Sequence, residues 1–486
     1  MKPECSLNSH QVCLALGVHF RTTGTDSIFH VITDETPTMP NIVSALARYL
    51  YIYISIAPIF LAIWIVRSFG TVEIDQVIVT LRLGIIGLDD GLVRSFFKWV
   101  AAVPLGFTSA VWILLNVRLS NHFRIALLIS LVFLSGALSH HIAIKQTQHE
   151  TDWSFFERNY VTPEMAVRDV SVNKPKNLIW IIVESLENSY TDPLINSDLD
   201  AATGFMSALV VQPITMTYTV GAIMAMRCGV PLNGFALIHQ NFFLKGPLTK
   251  AVCIDDVLQQ NGYVSTFMSG HDADFSGLGS YFKSHAQAQV LDGKWMLQKK
   301  LPKLDIYSHF NDETVFEQAY LKLSDIKEKS PFSLTILTFD NHIPKGLPSK
   351  HCLDTYGEYI GDVIRCNNSA VAKFVGQLRS DKQLMENTTI VITGDHPFMG
   401  AFDELTYPRS IYAKIFSPSS EPLMRKAVTQ FDFYPTVLHA MNVKTPAAMA
   451  LGRSAYKMAE FESIRWQADL RKGFSGTPPQ SFMDLQ

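Results

Sequence analysis

Residues 178–183 read Leu-Ile-Trp-Ile-Ile-Val, an unbroken apolar run that stops on the carboxylate of Glu184. β-Branched and aromatic side chains without polar alternation suit a strand covered on both faces, as in the parallel sheet of an α/β fold. The same punctuation recurs three times. Residues 263–268 run into Ser269, Gly270, His271 and Asp272, and residues 334–339 into Asp340, Asn341 and His342. Residues 389–392 run, after Thr393 and Gly394, into Asp395 and His396. A single strand closing on an acid is ordinary, because any polar loop can begin with one. Four closing on Asp, Glu or His indicate a sheet whose carboxyl edge carries a site, since open α/β sheets bind ligands there. Oxygen and imidazole donors gathered at one edge are what a divalent cation requires.

The 486 residues allow two or three domains. A net charge of −3 with no basic tract excludes nucleic acid as the expected partner. The mean hydropathy of +0.14 is high for a soluble enzyme and points to membrane segments. Residues 50–66 are apolar throughout, with Tyr51, Tyr53 and Trp64 near the ends as interface anchors, and Arg67 closes them; this is the first expected transmembrane helix. Residues 73–94 carry Arg82, Asp89 and Asp90 within an amphipathic pattern and are expected on the membrane surface. Residues 99–117 and 125–144 are the second and third expected spans, joined by a short basic loop containing Arg118, His122 and Arg124 that should face the cytoplasm.

Three spans place the N-terminal tail inside and everything after about residue 146 outside. Arg67, Arg82, Arg94 and Lys98 fall on the supposed outer side and pull against this, so the orientation leans partly on the cysteines. Cys5 and Cys13 precede the first span; Cys228, Cys253, Cys352 and Cys366 follow the last. Four downstream cysteines are compatible with two disulfides in an oxidising compartment, and on count alone equally with four unpaired thiols.

The expected organisation is then a cytoplasmic tail (1–48), a membrane domain (49–145), a polar connector (146–175), a catalytic domain (176–460) and a tail (461–486). Trp153, Phe155 and Phe156 in the connector are expected to lie against the bilayer. The tail is partly disordered by composition, rich in Gly, Ser, Pro and Gln from Gly473 onward. Within the catalytic domain, helical stretches at 253–261, 312–328 and 369–380 alternate with the strand runs. A further strand is expected at 410–416 and a late helix at 431–441. That alternation predicts an α/β fold with a mainly parallel sheet.

Tyr218, Thr219, Val220 and Gly221 open a stretch, 220–227, that reads as a helix ended by Gly229 and Pro231. A threonine at a helix start is commonly an N-cap. The alternative is a nucleophile held where backbone N–H groups and the helix dipole favour an anion such as phosphate. A hydroxyl in that role needs a metal or a base beside it.

Taken together, Glu184-Ser-Leu-Glu187, Tyr218-Thr-Val-Gly221, Cys228-Gly-Val-Pro-Leu232, Asp340-Asn-His-Ile-Pro344 and Gly394-Asp-His396 resemble the alkaline-phosphatase/sulfatase superfamily. Within it the chain looks like the membrane-anchored phosphoglycerol transferases, among them the lipoteichoic acid synthases and the transferase that decorates periplasmic glucans. The likeness runs over about residues 70–456 and includes Phe282-Lys-Ser-His285 and Leu451-Gly-Arg-Ser454.

The resemblance implies a three-layer sulfatase-like domain preceded by transmembrane helices. It implies that Glu184, Thr219, Asp395 and His396 hold one divalent metal, that Thr219 is the nucleophile, and that His342 contacts the phosphate or leaving oxygen. His271, Asp272 and Arg453 fall at substrate-side positions. It also implies pairing of Cys228 with Cys253 and Cys352 with Cys366, in line with a periplasmic or other extracytoplasmic catalytic domain on a multi-pass inner-membrane protein. The hard ligand set suits Mn²⁺ best, with Mg²⁺ or Zn²⁺ as alternatives.

The implied reaction moves phosphoglycerol from phosphatidylglycerol to a glycan through a phosphoglyceryl-threonine. Competing expectations are phosphoethanolamine transfer to a lipid or glycan, and an inactive glycan-binding membrane protein. Two departures matter. Residues 275–280 lack the Trp and Arg with which lipoteichoic acid synthases grip phosphoglycerol, and the long C-terminal region of the glucan-modifying transferase is absent. Cys228-Gly-Val-Pro-Leu232 also lacks the arginine and proline spacing of a formylglycine motif, which disfavours sulfate-ester hydrolysis.

Overall fold

The computed structural model describes residues 39–69, 94–116, 154–163, 171–172, 176–212, 218–232, 246–274, 277–301, 309–329, 331–342, 346–399, 405–418, 421–459 and 479–485. The apolar run becomes strand β1, Asn177–Val183, buried along its whole length. Among the described residues it joins one sheet with β2 (Ser207–Gln212), β3 (Val264–Ser269), β4 (Gln289–Leu291), β5 (Phe332–Leu337), β6 (Thr388–Gly394), β7 (Ile411–Phe416) and β8 (Ala427–Thr429). The spatial order is β4-β3-β5-β1-β6-β7-β2-β8, with β1 near the centre. The five strands from β4 to β6 are mutually parallel, and β7 alone runs antiparallel to its neighbours β6 and β2.

Period-two alternation sorts β1 onto two cores. Leu178, Trp180 and Ile182 enter one apolar cluster with Val220, Ile223 and Met224 of the helix Thr219–Cys228, and with the helices Ile254–Gln260, Leu278–Ala286 and Phe433–Ala440. Ile179, Ile181 and Val183 enter the other, covered by the helices Leu194–Thr203, Asp312–Ile326 and Ile360–Ser380. In chain order, with α1 (Met39–Phe69) and α2 (Val103–Asn116) at the start of the chain, these seven helices are α3 to α9: Leu194–Thr203, Thr219–Cys228, Ile254–Gln260, Leu278–Ala286, Asp312–Ile326, Ile360–Ser380 and Phe433–Ala440. The result is a three-layer α/β/α domain with a mainly parallel sheet, as expected.

Element limits moved for physical reasons. Helix α8 begins at Ile360 rather than 369. Its first turns contain Asn367 and Asn368, weak helix formers that are buried because their amides bond Asn341 and the Ile195 carbonyl. Strand β2 was not expected: only Leu209 and Val211 are buried while Val210 is 44% exposed, so it lacks a continuous apolar run. The connector is stitched to the sheet domain, with Ser171–Val172 pairing Val443–Lys444. Phe156, expected at the bilayer, is instead buried against Tyr160 and Phe482. Phe482 sits on a short helix, Gln480–Met483, so this part of the expected disordered tail is ordered by burying one ring. Residues 461–478 lie outside the described residues.

The chain divides into two compact units, Met1–Leu61 with Phe97–Ala137, and Ala62–Phe96 with Leu138–Gln486. In the first, Ile52 and Ile56 of α1 pack on Val111 of α2, and the Tyr49 hydroxyl meets Ser109 at 2.8 Å. Leu50, Tyr51 and Ile54 stay exposed, an outward apolar face. Among the described residues one stretch, Ala45–Trp64, is long and apolar enough to cross a membrane. The second expected span is helical over Phe97–Asn116, its first six residues forming a π-helix, and falls short of that criterion. The third expected span, most of the amphipathic stretch and the tail before residue 39 lie outside the described residues.

Candidate active site

Register brings the first two expected ligands together. Val183 of β1 pairs with Gly394 of β6, so Glu184 and Asp395 leave adjacent parallel strands at the same level. On the other side Ile182 pairs with Leu337, which sets Thr338 beside Glu184, and the Thr338 hydroxyl accepts the Glu184 N–H at 3.0 Å. Gly394 is required here: a Cβ would lie 1.9 Å from the Leu186 carbonyl oxygen.

Ser185, between the ligand and the turn, adopts the left-handed region (φ 55°). Held there, its N–H donates to Asp395 Oδ1 at 2.8 Å and its hydroxyl to Glu184 Oε1 at 2.7 Å. The His396 N–H also donates to Asp395 Oδ1, at 2.8 Å. Asp395 Oδ2 is left buried with no hydrogen-bond partner.

The His396 ring is oriented by its other nitrogen. Nδ1 lies 3.0 Å from the Pro397 carbonyl, which can only accept, so Nδ1 carries a proton and Nε2 faces the cluster. Burial lowers this imidazole, but the Asp395 and Glu184 carboxylates raise it on balance above its ordinary range. Nε2 is 3.3 Å from Asp395 Oδ2 and 3.6 Å from Glu184 Oε1. One ligand atom from each of Glu184, Asp395 and His396 lies within 4.8 Å of the others, and all three residues are buried. Burial, and then the charge of Glu184, pushes the Asp395 carboxyl up to about 7. Two buried carboxylates and one imidazole converging on an unsatisfied oxygen fit a divalent cation, which would pair the oxygen and cancel the repulsion.

Thr219 completes the group. It is the first residue of α4, and Tyr218 occupies the N-cap position, so the threonine hydroxyl does not cap its own helix. Its Oγ1 instead donates to Glu184 Oε2 at 3.1 Å and lies 3.4 Å from His396 Nε2. The surrounding motif has a steric basis. The Tyr218 ring folds over the first turn, its hydroxyl bonded to the Leu232 carbonyl at 2.8 Å, and a Cβ on Gly221 would come within 2.6 Å of that ring.

The other expected residues take separate places. His342 and His271 flank the Phe339 ring, with centroids 4.7 and 4.6 Å from it. They follow β5 and β3, the first and second strands from β1 on that side of the sheet. Burial holds the His271 imidazole below its ordinary range. Asp272 is engaged by Lys294 at 3.0 Å. The Arg453 guanidinium donates to the carbonyls of Gly452 and Asn159 at 2.9 and 3.0 Å, a use that ties its hairpin to the connector.

His309, not anticipated, also packs on Phe339 at 5.7 Å, and burial lowers it to about 4. Asn341, whose amide donates to the Glu184 carbonyl at 3.1 Å, was quoted in a motif without a role. Both cysteine pairs, Cys228–Cys253 and Cys352–Cys366, are disulfides. The first removes Cys253 as a thiolate ligand from its grouping with Asp256 and His285.

The sulfatase family model matches residues 176–443, more than half of the chain. The chain belongs to the sulfatase family. The chain is 31% identical over 254 residues to phosphoglycerol transferase I of Xanthomonas campestris pv. campestris (strain B100), a match covering 49% of this chain and 36% of that protein. With phosphoglycerol transferase I of Escherichia coli (strain 55989 / EAEC) the identity is 25% over 348 residues, 66% of this chain and 44% of the relative. The chain thus spans less than half the length of these curated relatives. Among solved structures it is similar to a lipoteichoic acid synthase from Listeria monocytogenes, with 17% identity, a TM-score of 0.44, and coverage of 60% of this chain and 83% of that one.

Proposed function

We propose that this sulfatase-family protein is a membrane-anchored, metal-dependent phosphoglycerol transferase that moves phosphoglycerol from phosphatidylglycerol to a cell-envelope glycan through a phosphoglyceryl-Thr219 intermediate. The observation that carries the reading is the Thr219 hydroxyl, placed at the first residue of α4 within 3.1 Å of Glu184 and 3.4 Å of His396. The relatives that share the sulfatase domain bear the name phosphoglycerol transferase I, which supports the choice of transferred group.

Glu184, Asp395, His396 and the Thr219 oxygen would hold one divalent cation, and Mn²⁺ suits their oxygen-rich set best. When bound, the cation supplies Lewis acidity that lowers the hydroxyl pKa and offsets phosphate charge. In the first step Thr219 Oγ1 attacks phosphorus, and the bond to the diacylglycerol oxygen breaks. Glu184 Oε2, already accepting the hydroxyl hydrogen bond, takes that proton. The unsatisfied N–H groups of the first turn of α4 face the phosphoryl oxygens. His342 donates a proton to the leaving oxygen. In the second step an acceptor hydroxyl attacks the phosphoglyceryl-threonine and passes its proton to His342, the P–Oγ1 bond breaks, and Thr219 recovers its proton from Glu184. Most of the barrier reduction is positioning and charge neutralisation.

A lipid donor explains an apolar anchor. Ala45–Trp64 would keep the site at the bilayer surface of the inner membrane. The disulfides support an oxidising, extracytoplasmic location for the sulfatase domain. The test offers phosphatidylglycerol and phosphatidylethanolamine vesicles side by side and reads the intact mass and the modified peptide. A phosphoglycerol adduct on Thr219 is the expected result. A phosphoethanolamine adduct, or an adduct elsewhere, overturns the reading.

A further inference from the structure

Glu187 is fully buried, three residues beyond Glu184 in the same turn. Its carboxylate makes a two-point pair with Arg409, Oε2 accepting Nε at 2.9 Å and Oε1 accepting Nη2. Oε1 also accepts the Phe398 N–H at 3.1 Å, and Arg409 Nη2 donates to the Phe398 carbonyl at 2.7 Å. Phe398 lies two residues beyond His396. One carboxylate–guanidinium pair therefore ties the turn that carries Glu184 to the turn that carries Asp395 and His396. The far side of the first turn is fixed independently, by the Tyr412 N–H on the Leu186 carbonyl at 3.2 Å and the Tyr190 hydroxyl on the Ser185 carbonyl at 3.0 Å. Burial, and then the charge of Glu187, raises that Tyr190 hydroxyl well above its ordinary range.

We infer that the Glu187–Arg409 pair is a positioning unit for the metal-ligand cluster, setting cation affinity through the spacing of Glu184 against Asp395 and His396. This rests on the reading of those three residues as metal ligands. Neither Glu187 nor Arg409 is itself a ligand. The planar guanidinium matches a carboxylate and a carbonyl at once, which a lysine ammonium on a flexible stem does not. Groups that orient metal ligands typically change affinity 10–100-fold when replaced.

The experiment uses the full chain in detergent, stripped of metal, in three forms: unaltered, Arg409→Lys, and the double variant Glu187→Gln/Arg409→Met. The double variant removes both charges together, so no buried carboxylate is stranded and the chain retains its fold. Mn²⁺ binding is titrated calorimetrically, and thermal unfolding of the metal-free forms is recorded beside it. The unaltered chain should bind one Mn²⁺, and both variants should bind it about 10–100-fold more weakly, a loss that persists in the double variant when its metal-free melting is close to the original. Variants that melt lower yet bind Mn²⁺ with unaltered affinity overturn the inference and leave the pair a fold element only. An unaltered chain that binds no Mn²⁺ overturns the metal reading itself, and the inference with it.

Discussion

Val183 and Gly394 face one another across two parallel strands, and that single register contact sets Glu184 beside Asp395 at the carboxyl edge of the sheet. A slip of one residue would turn one of the two carboxylates to the opposite face. The hydroxyl of Thr219 reaches the same point from a different layer, at the start of α4.

Replacing the proposed nucleophile should separate chemistry from fold. Thr219→Ala is expected to lower phosphoglycerol transfer by at least about a thousandfold, the scale seen when a nucleophile is removed. Circular dichroism and membrane insertion should not change, because the side chain is only partly buried and caps nothing. Full activity of this variant on labelled phosphatidylglycerol would contradict the assignment.

Metal removal should act on stability as well as on turnover. The buried, unpartnered Asp395 Oδ2 makes the stripped site repulsive. Adding Mn²⁺ at a hundred times its dissociation constant should stabilise the chain by about 2.7 kcal/mol through mass action. A melting temperature that ignores both chelator and Mn²⁺ would count against a cation at this site.

Asp312 and Asp340 give a pH signature apart from the ligand cluster. Asp312 accepts N–H groups from Phe339 and Asp340 at 2.8 and 3.0 Å, and Asp340 accepts the Asp312 N–H at 2.8 Å. Burial, and for Asp312 also the neighbouring Asp340, raises both carboxyls well above their ordinary range. The folded chain then holds protons that the unfolded chain has released, so stability falls as pH rises above about 4, the unfolded carboxyl value. Asp312→Asn should flatten that slope in urea titrations between acid and neutral pH. An unchanged slope would refute the shared burial cost.

Gly221→Ala tests the steric role of the nucleophile motif. The added methyl would collide with the Tyr218 ring at 2.6 Å and displace the residue before Thr219. We expect kcat to fall at least about tenfold, since small misplacements at a reacting group are costly, with KM little altered. Wild-type kcat would show that the ring yields without moving the hydroxyl.

The disulfide Cys228–Cys253 joins the end of α4 to the start of α5 across a separation of 25 residues. Its replacement by two serines should cost about 3.5 kcal/mol on the loop-entropy scale, measurable by denaturant titration under non-reducing conditions. A cost near zero would mean that the packing of α4 alone fixes its end.

The four strand runs and their acidic or imidazole endings were legible because burial on both faces leaves an unmistakable apolar run. Glu184, Asp395 and His396 stand at those endings, and Thr219 at a helix start, all within local reach of pattern reasoning. Helix α8 begins nine residues before its expected start, and Asn367 and Asn368 within it are core residues only through their partners on other elements. Phe156 and Phe482 meet from positions 326 residues apart, a pairing of the kind that local patterns do not encode.

The amino-acid order by itself determined the four buried runs that become central strands and which chemical groups stand just beyond them, since these follow from side-chain size, polarity and period. Tertiary structure alone decided the strand order, the Val183–Gly394 register, and the reach of Arg409 back to Glu187 across 222 residues of chain. Those depend on which buried polar groups satisfy one another in space, and that choice is made by packing two cores onto the sheet at once.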